Sequence, residues 1–64
     1  RTWGVEVKAA ASVKPSDADG LKRLASQAGS DFQGGVVLYD GNSVLPLDSK
    51  LKLLAVPIAK LWDL

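Results

Sequence analysis

Apolar and polar positions in this chain follow three successive patterns: alternation, a helical period, and an unbroken apolar run. Residues 2–11 alternate. Side chains along a strand point to opposite faces in turn, so Trp3, Val5, Val7 and Ala9 share one face, and Gly4, Glu6 and Lys8 the other. Ser12-Val13-Lys14-Pro15 ends this strand, because Pro15 offers no ladder donor and pushes Lys14 out of the helical region. A helix follows over residues 16–28. Ser16 is a suitable N-cap, Asp17 and Asp19 suit the positive end of the dipole, and Asp19 stands near the place of a capping-box acid. Ala18, Leu21, Leu24, Ala25 and Ala28 then recur at three- and four-residue spacing as one apolar stripe, and Gly29 closes the helix. Gly20 weakens its first turn by about 1 kcal/mol relative to Ala, which a close helix–sheet approach would explain.

Residues 35–39, Gly-Val-Val-Leu-Tyr, form the unbroken run expected of a strand covered on both faces. Strand, helix and buried strand make a βαβ unit, with the two strands parallel and the crossover right-handed. Asp40-Gly41-Asn42 is hairpin-turn chemistry leading into a strand at 43–47, whose Pro46 suits a sheet edge. After a turn at Asp48-Ser49-Lys50, residues 51–56 return as a short strand. Pro57 opens a final short helix over 57–62, with Ile58, Leu61 and Trp62 packing back on the sheet. The predicted fold is α/β, a four-stranded mixed sheet crossed by one main helix.

Composition narrows the functions available. The chain has 64 residues, 47% of them apolar, which favours a packed core over disorder and limits it to one small domain. With no Cys and no His there is no disulfide, and a zinc site is effectively excluded. The net charge of +1 supplies no general attraction for nucleic acid, so phosphate affinity has to come from local geometry. The longest apolar run is far below the roughly 18 residues of a spanning helix. The expected location is the cytoplasm, with no membrane partner. Arg1-Thr2-Trp3 reads as the middle of a strand, hence as part of a longer protein.

The candidate chemistry lies on the first strand. Glu6 and Lys8, two residues apart, stand on one face about 7 Å apart at the backbone. Carboxylate oxygens bind Mg²⁺ and an ammonium offsets developing charge, so the pair suits a phosphoryl site. By itself, a Glu-x-Lys pair is more often simply a solvated strand face.

The company of that pair adds a resemblance. Trp3-Gly4-Val5-Glu6-Val7-Lys8, the Ala9-Ala10-Ala11-Ser12-Val13-Lys14-Pro15-Ser16-Asp17 stretch and Gly20-Leu21-Lys22-Arg23-Leu24-Ala25 come first. Gly35-Val36-Val37-Leu38-Tyr39-Asp40-Gly41, Val44-Leu45-Pro46-Leu47 and Ala55-Val56-Pro57-Ile58-Ala59-Lys60-Leu61-Trp62 follow. In that order the chain resembles the C-terminal domain of a bacterial and archaeal family of P-loop (AAA-type) ATP-binding proteins. That is a domain of unknown function related to the PD-(D/E)xK, restriction-endonuclease-like fold. The resemblance implies that residues 1–64 are the C-terminal half of such a domain, and that the rest of an ATPase chain is the partner. It also implies Glu6 as a metal ligand and Lys8 as the residue that positions water or stabilises the transition state. The motif's other half, an Asp on a preceding strand, has no counterpart here. Mg²⁺ prefers one or two carboxylates plus waters and substrate phosphates, so any Mg²⁺ or Mn²⁺ belongs to the complete domain.

Two functions follow: an accessory module of an ATPase, inactive as this stretch, or a divalent-metal nuclease domain acting on DNA or RNA. Asp40 is read as a turn former rather than the missing ligand. Lys14, Lys22 and Arg23 could meet phosphates but read better as a solvated face, and Ser12 and Gln27 as local or surface polar groups. Trp3, Tyr39 and Trp62 are candidates for base stacking; packing in a core or interface is the favoured reading. The bared edge of the first strand predicts self-association.

Overall fold

A computed structural model describes residues 1–63, and side chains through Lys60. Four strands, β1 (Thr2–Lys8), β2 (Phe32–Tyr39), β3 (Leu45–Asp48) and β4 (Leu53–Pro57), form one sheet in the order β1-β2-β4-β3. The helix α1 (Asp19–Ala28) connects β1 to β2 across one face of this sheet. β1, β2 and β4 are mutually parallel, and β3 pairs antiparallel with β4. The α/β class, the mixed four-stranded sheet, the single main helix and the parallel first pair are as the sequence predicts.

The expected hairpin at Asp40-Gly41-Asn42 is corrected: β2 and β3 are not neighbours, because β4 stands between them. The bend itself is present. Tyr39 folds its ring over Gly41, where any Cβ would overlap it, and its hydroxyl donates to the Ser43 carbonyl at 2.5 Å. This directs the chain onward instead of back along β2. The antiparallel pair forms one turn later, where the Asp48 carboxylate accepts the Leu51 N–H at 3.0 Å and Lys52 takes a left-handed φ of 57°.

Element ends also differ from the predicted ones. β1 stops at Lys8 rather than residue 11, since the Ala10 N–H turns back to the Lys8 carbonyl at 3.0 Å, a three-residue turn. Residues 15–18 form a 3₁₀ turn, with the α-helix proper beginning at Asp19. Lys14, not Ser16, stands at the N-cap of that turn, and Asp17, its third residue, accepts the Lys14 N–H at 2.8 Å as a capping-box acid does. β2 begins three residues earlier than predicted, through Gly34, whose φ of 152° only glycine adopts readily. Pro57 ends β4 opposite Tyr39, and the last 3₁₀ helix starts at Ile58. Ile58 is half-buried; the side chains of Leu61 and Trp62, expected to pack on the sheet, lie outside the described residues.

Ala18, Leu21, Val37 and Leu53 form the buried centre, flanked by Phe32, Leu47 and Leu51. Gly4 and Gly35 are register partners on adjacent strands, and Leu21 packs above both. Because neither carries a side chain, the helix settles close to the sheet there. Gly20 makes the corresponding approach from the helix side: a Cβ on it would lie 3.1 Å from Glu6 Oε2.

Candidate functional site

β1 projects Gly4, Glu6 and Lys8 towards α1, so the Glu-x-Lys face is the helix-covered one. Glu6 remains exposed at its rim, its carboxylate beside Gly20, where the Arg23 guanidinium also approaches. Lys8 is drawn inward. Its ammonium donates to the Asp17 carboxylate in a partly buried ion pair, the two side chains retaining 24% and 18% of their exposure. Asp17 thus receives the Lys14 backbone N–H and the Lys8 ammonium together, and reciprocates at the turn, its own N–H donating to the Lys14 carbonyl at 2.9 Å.

These contacts hold the Asp17 carboxyl below its usual pKa, the Lys14 N–H being the larger cause and the Lys8 hydrogen bond the next. A carboxylate with a depressed folded-state pKa adds stability above its unfolded value, near 3.8 here. That stability is lost as pH falls through the folded value. Asp17→Asn should therefore lower the urea midpoint at about pH 7, by an amount that shrinks steadily as pH is taken down below 3.8. An equal loss at every pH would show that the pair adds nothing dependent on charge.

Other candidates are scattered. Ser12, Lys14, Lys22, Arg23 and Gln27 are exposed, as a solvated face requires. Asp40 is exposed just past β2, its N–H donating to the Ala10 carbonyl at 2.9 Å, so it serves the loop at the same strand ends as Lys8. Tyr39 is buried at 3% exposure and belongs to the core, whereas Trp3 is 66% exposed on the opposite face of the sheet. Among the described residues no group of three His, Cys, Asp or Glu side chains is placed to hold a metal ion. Glu6 offers a single carboxylate, so a divalent ion held there would need its remaining ligands from water, substrate or residues beyond this stretch. A cleft of about 120 Å³ lies elsewhere, lined by Gly29, Phe32, Gln33 and the Lys50–Lys52 turn. It is small beside the ~300–1,000 Å³ usual for ligand sites.

Sequence reasoning missed Asp17 as the partner of Lys8. Two features pointed to it: the βαβ path returns the loop after β1 to the strand's C-terminal end, and Pro15 fixes the turn that carries Asp17.

The architecture is that of a small α/β domain with a parallel β1-β2-β4 core, a helix on one face, and a Glu-x-Lys strand at one edge. Residues 1–61 match the family model described as Domain of unknown function (DUF4143), and the chain belongs to that family. Neither the curated proteins nor the solved structures gave a match. Among the described residues no helix is long and apolar enough to cross a membrane.

Proposed function

We propose that this domain is a non-catalytic accessory module of an AAA-type ATP-binding protein, acting in the cytoplasm through contacts with the rest of that protein. The observation that carries this reading is the Lys8–Asp17 ion pair. A transition-state lysine has to meet developing charge on the substrate, and here the ammonium is already engaged with a carboxylate of the same chain. Among the described residues Glu6 belongs to no group of three side chains placed to hold a metal ion. The pair then serves architecture: Lys8 ties the end of β1 to the turn that starts α1.

The test uses the full-length protein that carries this domain, with plasmid DNA and single-stranded RNA in Mn²⁺ or Mg²⁺. The expected result is no cleavage above the level of a Lys8→Ala variant, both proteins being folded by circular dichroism. Cleavage abolished by Lys8→Ala would overturn the accessory reading and make Glu6 and Lys8 half of a nuclease site. A second arm follows the size of the ATPase by sedimentation. Unfolding this domain with Leu53→Ala should alter assembly while leaving nucleotide binding per subunit unchanged.

A further inference from the structure

At the end of the sheet away from Lys8, the cleft beside the Lys50–Lys52 turn joins apolar and cationic groups. Ala25, Phe32 and Leu51 give it an apolar lining, and Lys50, Lys52 and Gln33 a polar one. Among the described residues no acidic side chain lines it, and neither lysine is in an ion pair. The adjoining C-terminus of α1 contributes about half a negative charge, which two ammonium groups outweigh. The volume of about 120 Å³ is too small for a nucleotide and close to the ~150 Å³ of a cavity that admits benzene.

Two departures from regular backbone shape this cleft. Thr2 faces Phe32 and Trp3 faces Gly34, so Gln33 is an extra residue without a partner on β1. Such a bulge re-aims a side chain, and this one lines the cleft. Its amide nitrogen donates to the Asp31 carbonyl at 3.4 Å and carries a second N–H. Lys52, with its φ of 57°, is the only non-glycine residue of those described in the left-handed region, where glycine is the easier occupant. The turn is nonetheless held, by the Leu51 N–H on the Asp48 carboxylate and the Gly35 N–H on the Lys52 carbonyl at 3.2 Å. Backbone strain retained in this way is characteristic of ligand clamps.

We propose that the cleft binds a small carboxylate with a branched apolar body, the carboxylate meeting Lys50 and Lys52 and the body resting on Phe32 and Leu51. Inorganic phosphate matches the charge but offers nothing to the apolar lining. A free carboxylic acid and the C-terminal residue of a polypeptide share the required chemistry. The site is independent of the accessory role proposed above, since it uses neither Glu6 nor Lys8.

The experiment is a ligand-observed NMR titration of the full-length protein that carries this domain. The probes are isocaproate and its neutral amide, and a tripeptide ending in leucine with a free or an amidated C-terminus. The expected result is saturable binding of a free-carboxylate probe with a dissociation constant on the order of 1 mM, as suits so small a ligand, and no measurable binding of either amide. Lys50→Gln and Lys52→Gly should each weaken binding at least about threefold, the size of an exposed charge pair. Lys52→Gly also relieves the left-handed backbone, so the thermal midpoint should change little while binding falls, a division that a merely structural lysine would not produce. Tighter binding of the tripeptide acid supports the site as one for polypeptide C-termini, and tighter binding of isocaproate supports free carboxylates. No saturation by either acid at about 20 mM, well above the millimolar range, overturns the proposal. Amides that bind as well as the acids, or binding unchanged in both folded variants, overturn it too.

Discussion

Leu53→Ala is expected to take this domain to the limit of folding. Leu53 is wholly buried, beside Gly35 on β2 and in one cluster with Ala18, Leu21 and Val37. Removing three carbons from such a site costs about 2–5 kcal/mol, the spread reflecting how far the surroundings collapse into the cavity. A chain of this length has only about 3–10 kcal/mol in total, so the loss takes a large share of the stability. A circular-dichroism melt should show Tm lowered by about 4–8 °C for each kcal/mol, or no cooperative transition at all. The adjacent residue supplies the control. Leu54 is 40% exposed and points to the other face of the same strand, so Leu54→Ala should move the monomer's Tm far less. Comparable losses at both positions would contradict the assignment of faces in β4.

That contrast also shows which parts of the fold local sequence can specify. The α1 stripe was readable because Ala18, Leu21 and Ala25 are buried while Lys22, Arg23 and Gln27 are exposed, as a helical period requires. The unbroken run ending at Tyr39 announced β2 as a central strand, and it is one. Strand order was a different matter. Asp40-Gly41-Asn42 specifies that the chain bends, but the choice of neighbour for β2 is made by packing at a distance. β4 takes the place because Leu53 and Ala55 alternate with the right phase to extend the buried floor made by Gly35 and Val37. β3, with Pro46 and Asp48, is left at the edge, the one location where Pro46 costs the ladder little.

The candidate site divides in the same way. Spacing placed Glu6 and Lys8 on one face correctly. What Lys8 meets there depends on a loop nine residues away, and strand periodicity carries no information about it. The alternation of β1 was equally clear, yet its apolar side is the uncovered one. Gly4, not Val5 or Val7, lies under the helix.

Gly4→Val should therefore be strongly destabilising, although it replaces a flexible residue with a better strand former. Even a Cβ at this position would overlap Leu21 Cδ2 and lie 3.0 Å from Leu24 Cδ2. Leu21 is 3% exposed, with the Gly35 backbone directly below, so its side chain has little space in which to move. Overpacking of this kind costs about 1–3 kcal/mol, more than strand propensity, whose whole scale spans about 1 kcal/mol, can offset. The Tm should fall accordingly. Leu21→Ala alone should also destabilise, by about 2–5 kcal/mol, through the cavity it leaves. Combined, the two changes should cost less than their sum, because the valine methyls occupy volume that Leu21 vacates. A coupling of about 0.5–3 kcal/mol is the range for residues in direct contact. Strict additivity would show that α1 does not rest on the Gly4–Gly35 floor. A favourable coupling confined to position 21, and weaker with Leu24→Ala, would place the closest approach of helix and sheet at the glycine pair, two residues along β1 from Glu6.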